Sequence, residues 1–481
     1  MKINELQPVA LWSRFAEICA IPHPSKHEAA LINYLKEFAI EHDLSYKIDE
    51  TGNIMIAKAA TAGKEKSPKV TLQAHVDMVP QKNSDIKFNF TTDPIEAYVD
   101  GSWVKARNTT LGADNGIGCA AMLAILSDRT AVHPAIEALF TIDEETGLTG
   151  ANGLGKDMLS GSILINLDSE DEGELYIGCA GAVNNIATMN YKKEASPDDM
   201  QGYILDLRGL KGGHSGAEII LQRANANKIM VRFLRERIAA NEIRISTING
   251  GSLRNAIPRE ARALVAVPRA LCQAFEAEVK DFEARIISEF SVVEDDIKFS
   301  ATKCDRPSIV INGADQTRII AALTAAPNGI MRMSDSVPAL VETSTNLSQV
   351  IVEDGKMQVI FMTRCMVNYG KRELSAMIRA VFELAGAKVV EENNYDGWAP
   401  DTNSKILTTM KVGYEKLFGS APAVKAIHAG LECGIIGAKY PGLDMISIGP
   451  TMRFPHSPDE KVNIETVDRF YKFLLYTLSQ L

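Results

Sequence analysis

Residues 72–82 read LQAHVDMVPQK, and the fold turns on how this stretch is read. It follows the lysine-rich turn AGKEKSPK and an apolar start at Val70 and Leu72, the pattern of a strand running into a loop. Side chains alternate along a strand, so His75 and Asp77 share a face at its end. An imidazole beside a carboxylate is what a metal site needs, one to ligate and the other to orient it. A polar strand end closed by local hydrogen bonds would read the same way, and three residues alone do not choose. The rest of the chain does.

Working outward, roughly the first 180 residues alternate helical and strand patterns. A helix over 26–42 precedes NIMIAKA and then the His75 strand; the Gly/Ala-rich helix NGIGCAAMLAILSD leads to AIEALFTID and SILINLD. These strands are continuous apolar runs, as in a sheet buried on both faces. The pattern resumes near the end, with a helix over 403–418, then DMISIGP, then the closing helix IETVDRFYKFLLYTLSQL. Residues 1–182 and 396–481 are therefore expected to form an α/β catalytic domain with a mostly parallel sheet flanked by helices. Residues 183–395 read strand, helix, two strands, helix, twice over, with GYILDLRGL opening the first copy and DIKFSATK the second. That is an inserted α+β domain with an internal duplication. The glycine-bearing crossings GCAGAV (178–183) and NYDGWAP (394–400) are candidate hinges.

Composition bounds the function. The 481 residues suggest two to four domains, and 46% hydrophobic with 23% charged residues is ordinary for a globular protein. A formal net charge of −10 argues against a nucleic-acid or anionic-membrane partner and suits a cation binder. The seven cysteines form no C-x-x-C pair, which points to a reducing compartment rather than a disulfide framework or thiolate zinc site. Glu5, Arg14 and Glu17 interrupt the N-terminal segment, which reads as an amphipathic helix instead of a signal peptide. No apolar run approaches the ~18–20 residues of a membrane span. The expected location is the cytoplasm.

Other acidic or imidazole residues stand where His75 stands. TTLGADNGIG places Asp114 in a glycine-lined turn that opens a helix; FTIDEETG ends a strand on Asp143, Glu144 and Glu145; LINLDSE ends one on Asp168; ISIGPTMRFPHSPDE puts His456 after the last strand. Ligands of open α/β sheets gather beyond the carboxyl ends of the strands, so these residues converge if the strands are parallel. Two histidines and three carboxylates suit two divalent cations about 3.5–4 Å apart with one carboxylate bridging. Of Glu144 and Glu145, one can ligate while the other holds a proton-transfer position, the arrangement for hydrolysing an amide. Alone, DEE is most often a solvated strand end and GADNG a tight turn; their joint placement argues otherwise. TTLGADNGIG lacks both G-x-G-x-x-G and a G-K-[ST] ending, which disfavours a nucleotide-binding protein.

These segments, together with GCAGA, LKGGHSG, LRNAIPRE and HAGLECG, resemble the di-zinc aminoacylase/carboxypeptidase-type metallopeptidases, and within them the aminoacyl-histidine dipeptidases. The resemblance runs from residue 72 to 460. It implies that His75, Asp114 and Asp168 bind one cation and Asp114, Glu145 and His456 the other, with Asp114 bridging. It further implies that Asp77 accepts a hydrogen bond from the His75 ring and that Glu144 moves the proton from water to the leaving amine. His214 of GGHSG resembles the oxyanion-stabilising histidine, and Asn255 and Arg364 the groups holding the substrate's C-terminal carboxylate. HAGLECG is expected to let backbone at Gly430 approach the substrate, with Glu432 near its free amine and Cys433 as packing.

The implied activity is hydrolysis of unblocked dipeptides, preferentially Xaa-His, in a homodimer joined through the inserted domain, which would close over the substrate. Zinc is the expected metal, with cobalt or manganese possible. Whether His214 serves its own subunit or its neighbour's stays open. The rival readings are an N-acyl amino acid amidohydrolase of the same fold and a catalytically silent peptide- or metal-binding protein.

Overall fold

In the computed structural model, which describes residues 2–240 and 242–481, the opening stretch forms the strand Val70–His75, buried along its whole length. Ile136–Thr141 and Ile163–Asn166 lie parallel on either side of it, and Asp444–Ser447 extends the parallel run beyond Ile163–Asn166. The first two of these neighbours are buried at every position, as continuous apolar runs require. Ser45–Ile48 and Ile54–Lys58 complete the eight-stranded sheet at one side, each antiparallel to its inner neighbour; Glu174–Cys179, antiparallel to Asp444–Ser447, and then Ala423–Ile427 complete it at the other.

Helices cover this sheet. Ala113–Ser127 is buried at every residue except Asp114 and Ser127, because its small side chains let backbone approach backbone. A Cβ on Gly118 would stand 2.9 Å from the Leu167 carbonyl oxygen, so this glycine lets the helix seat against the strand end that precedes Asp168. The closing helix Ile464–Gln480 buries Val467, Phe470, Tyr471, Leu474 and Leu478, one stripe at helical spacing.

The chain divides into two compact units, one of 1–179, 398–426 and 431–481, the other of 180–397 and 427–430. The divisions fall inside the two glycine-bearing crossings. Residues 180–182 and 396–397 fall with the second unit, just beyond the expected 183–395, and the short piece Ile427–Gly430 also groups with it. The sequence around it is unremarkable for a strand end, and its contacts alone assign it.

The second unit is built on a nine-stranded sheet whose central order reveals the duplication. One half runs Lys298–Cys304, Met200–Arg208, Ala261–Pro268, Arg244–Gly250; the other runs Lys388–Tyr395, Gly181–Asn190, Lys356–Cys365, Val341–Glu353. The halves meet where Arg244–Gly250 pairs antiparallel with Val341–Glu353, Asn249 opposite Ile351. The seam differs from the sequence expectation. The DIKFSATK strand closes the first copy at the sheet edge, pairing with Met200–Arg208, and Gly181–Asn190 supplies the first strand of the second copy. Edge and opening strands carry similar alternation, so only their pairing distinguishes them. On helix Cys272–Phe290, Phe275, Val279, Phe282 and Ile286 form one buried face, and Phe282 meets Phe299 edge-on and Phe233 at a tilt.

Candidate metal centre

The first unit brings all five candidate ligands together. His75 ends its strand with Nε2 3.1 Å from Asp114 Oδ1 and 3.3 Å from Asp168 Oδ1. His456 Nε2 lies 3.3 Å from the other Asp114 oxygen and 2.9 Å from Glu145 Oε1. Asp114 thus turns one carboxylate oxygen to each imidazole. Burial is uneven: the His75 side chain is 1% exposed and that of His456 50%.

Electrostatics favour a cation here. Burial pushes Asp168 up to about 7, with the charges of Asp114 and Glu145 adding to it against the pull of His75. Burial would raise Asp114 as well, but its contacts with His456 and His75 bring it well below the usual carboxylate range. His456 is pushed up to about 11 by its hydrogen bonds to Asp114 and Glu145. Burial opposes protonation of His75, yet Asp168, Asp114 and Asp77 raise it well above the usual value. Glu144 is raised well above the carboxylate range, first by burial and then by Asp168, Glu145 and Glu432. Glu145 Oε1 and Asp168 Oδ1 are buried, and apart from the facing imidazole nitrogens of His456 and His75 neither finds a hydrogen-bond donor. Atoms of His75, Asp114 and Glu145 able to ligate lie within 4.8 Å of one another. Imidazole nitrogens and orphaned carboxylate oxygens aimed at common points fit two divalent cations.

Two supports differ from expectation or were missed. The Asp77 carboxylate was expected to orient the His75 ring. Its nearest oxygen stands 3.5 Å from His75 Nδ1, and the Asp77 backbone oxygen lies closer to that nitrogen, at 3.0 Å. The Asp77 carboxylate accepts the Glu144 amide at 3.0 Å, the Glu145 amide at 3.2 Å and the Ser25 hydroxyl at 2.8 Å. Burial works against its charge, but His75, the Glu144 amide and Ser25 carry it down to about 2. Asp77 therefore caps the short helix Glu144–Gly147 and aims both glutamates. The missed residue is Glu460, last of PHSPDE. Its buried carboxylate accepts the amides of Leu111, Gly112, Ala113 and Asp114 at 2.7, 3.0, 2.8 and 3.3 Å, holding the helix end that carries Asp114. Glu432 also departs from expectation: it is fully buried, its Oε2 accepting from Gln73 at 2.5 Å and Thr141 at 2.7 Å, so it presents no surface to a substrate amine. Cys433 is fully buried packing.

The second unit gathers the remaining candidates. His214 and Ala256 pair across a two-stranded ladder, which sets Asn255 beside His214, and the Asn255 carbonyl accepts the Ser215 amide at 2.8 Å. His214 Nδ1 accepts the amides of Gly216 at 3.3 Å and Ala217 at 3.0 Å, so the neutral ring carries its proton on Nε2. Burial and then the Arg364 charge lower His214 to about 4, which keeps it neutral near pH 7. Arg364 is buried, with Nη2 3.4 Å from His214 Nε2. Two donors facing one another at that distance suit an anionic oxygen shared between them. His428 adds a further ring: it is buried, its Nε2 lies 2.7 Å from Ser344 Oγ, and burial with Arg364 lowers it to about 3. Gly430 packs against Tyr395, leaving 2.9 Å between a would-be Cβ and the Tyr395 hydroxyl.

Residues 71–480 match Peptidase family M20/M25/M40. The chain belongs to this family. It is 43% identical over 480 residues to the cytosol non-specific dipeptidase of Escherichia coli (strain K12), covering 100% of this chain and 99% of that relative. Among solved structures, the aminoacylhistidine dipeptidase from Vibrio alginolyticus matches with 46% identity and TM-score 0.94, covering 100% of this chain and 98% of that one. Aminopeptidase PepT from Bacillus cereus ATCC 10987 shares the fold at 15% identity and TM-score 0.58, covering 99% of each chain. In this M20-family chain the strand ends that carry the candidate ligands were legible from sequence. Glu460 was not, because a carboxylate serving distant amides leaves no local pattern; its place in PHSPDE was the available signal.

Proposed function

We propose that this protein is a metal-dependent dipeptidase that hydrolyses unblocked dipeptides, with a C-terminal histidine the favoured class. One observation carries the reading: two imidazole–carboxylate groups share Asp114, with Glu144 beside them, in a chain 43% identical end to end to a relative named as a dipeptidase. His75, Asp114 and Asp168 are assigned to one cation, and Asp114, Glu145 and His456 to the other. Bound there, two divalent ions would supply Lewis acidity toward the scissile carbonyl and lower the pKa of water. Zinc is favoured, while imidazole and carboxylate ligands also accept cobalt or manganese.

The chain's own groups do the rest. Glu144 takes a proton from the attacking water and delivers it to the leaving amine nitrogen, while Asp77 holds its backbone in place. His214 donates from Nε2–H to the developing oxyanion, a contact worth roughly 3–4 kcal/mol in comparable sites. Arg364 and Asn255 take the substrate's C-terminal carboxylate, which a guanidinium fork matches. These second-unit roles require the inserted unit to close over the substrate. Homodimerisation through that unit belongs to the same proposal. So does a cytoplasmic location, which the free cysteines and the relative's name support; no helix is long and apolar enough to cross a membrane among the described residues.

Glu144→Ala tests the mechanism: metal content stays, and turnover of a dipeptide such as alanyl-histidine falls by about 10²–10⁴-fold, the usual contribution of general acid–base catalysis. Wild-type-like turnover in that variant would remove Glu144 from its role. A panel of free and N-acetylated dipeptides separates the dipeptidase from an N-acyl amino acid amidohydrolase, and unblocked dipeptides with and without C-terminal histidine settle the preference.

A further inference from the structure

Beneath the ligand set lies a fully buried polar chain that the mechanism does not use. The tips of the four parallel strands contribute Thr141, Gln73, Asn166 and Ser447, and Glu432 joins from the start of the helix Glu432–Lys439; all five are 0% exposed. Gln73 Nε2 donates to Glu432 Oε2 at 2.5 Å and to Thr141 Oγ1 at 3.1 Å, and the Thr141 hydroxyl donates to the same glutamate oxygen at 2.7 Å. Gln73 Oε1 accepts from Asn166 Nδ2 at 2.6 Å. Asn166 Oδ1 in turn accepts the Ser447 hydroxyl at 2.5 Å and the Asp168 amide at 3.3 Å.

The chain therefore runs from one strand tip to the next and ends on the backbone of a candidate ligand. Gln73 precedes His75 by two residues and shares its face of the strand. Both ends of the Gln73 and Asn166 amides are occupied, so neither side chain can turn without leaving a buried polar group unpaired. His75 and Asp168 thus stand on a braced floor. Among the described residues no comparable chain of buried amide side chains underlies the other pair. His456 sits on a loop with its side chain 50% exposed, and Glu145 on a four-residue helix held by Asp77.

We propose that the Thr141–Glu432–Gln73–Asn166–Ser447 chain positions His75 and Asp168 so that their cation is the tightly held one, while the cation at His456 and Glu145 is exchangeable. Gln73 and Glu432 are positioning residues in this scheme, acting through the ligands and touching no substrate. The inference rests on the two-cation reading of the site.

Zinc content measured by elemental analysis across graded EDTA tests it. The wild-type protein should lose its zinc in two steps, and His456→Ala should retain the tighter ion while His75→Ala loses it. Gln73→Met should weaken the tighter ion about 10–100-fold, the usual consequence of removing a group that orients a ligand, and leave the weaker one unchanged. Glu432→Gln preserves an oxygen for both donors, so it should hold both ions as the wild type does. If Gln73→Met does not fold by circular dichroism, Ser447→Ala, which removes the bonds to Asn166 and Ser169 at the end of the chain, should show a smaller weakening of the same ion. Loss of both wild-type ions in one step overturns the proposal. So does an unchanged tight ion in whichever of Gln73→Met and Ser447→Ala is folded, or an equal loss in Glu432→Gln, which would make the charge and not the geometry responsible. A wild-type protein that takes up no zinc would instead defeat the two-cation reading itself.

Discussion

Replacing Glu460 by glutamine is the most informative perturbation of this site, because one carboxylate serves four amides at the end of the helix Ala113–Ser127. One oxygen accepts Leu111 and Gly112, the other Ala113 and Asp114. Glutamine keeps a single oxygen and turns its amide donors toward the other pair. Two buried N–H groups then lack acceptors, at about 1–3 kcal/mol each, and the remaining two lose the strengthening that a charged acceptor provides. A local loss of about 4 kcal/mol follows, which corresponds to roughly a thousandfold in an equilibrium constant. Hydrogen exchange read by mass spectrometry over residues 111–118 should accelerate by that order in Glu460→Gln. Zinc affinity should fall with it, since Asp114 is the residue that faces both imidazoles. The exposed neighbour change Asp459→Asn serves as control and should alter neither. Wild-type exchange rates and zinc affinity in Glu460→Gln would refute the reasoning.

Three further outcomes follow from the same geometry. Asp77→Asn leaves one oxygen where two accept the Glu144 and Glu145 amides, so kcat on a dipeptide should drop by about 10–100-fold with a smaller change in KM. Gly216→Ala would place a Cβ 2.2 Å from the His428 carbonyl oxygen and 2.9 Å from Arg364 Nε; overpacking of this kind costs about 1–3 kcal/mol, and thermal unfolding together with KM should register it. His214 and His428 are lowered to about 4 and about 3 in the folded chain, so each takes up its proton more readily when unfolded. Stability of the second unit should therefore be fully present above about pH 6.5 and decline as pH falls toward 4, and His428→Gln should flatten that decline in melting curves taken across this range.

Much of the first unit was legible because two signals coincide in its sequence. Continuous apolar runs announced strands buried on both faces, and His75, Asp114, Glu144, Glu145, Asp168 and His456 each follow such a run or open the helix after it. Strand ends in a parallel sheet necessarily share an edge, so convergence could be argued before any contact was seen. The duplication of the inserted unit was visible in element order, yet its seam was misplaced, since alternation does not say which neighbour a strand at the edge will choose. Asp77 was read with only one of its partners for a related reason. An H-x-D pattern suggests a side-chain pair within the strand, whereas the carboxylate turns to amides at 144 and 145.

By itself, then, the sequence determined the classes of side chain at the strand ends, the alternation of elements and the likeness to a metallopeptidase family, all local properties carried by neighbours in the chain. Tertiary structure alone decided what holds those side chains still. Glu460 reaches four amides more than 340 positions away in the chain, at distances from 2.7 to 3.3 Å, and Glu432 meets Gln73 across 359 positions. A buried carboxylate needs donors wherever the fold supplies them, and nothing in the residues beside it records where those donors will be.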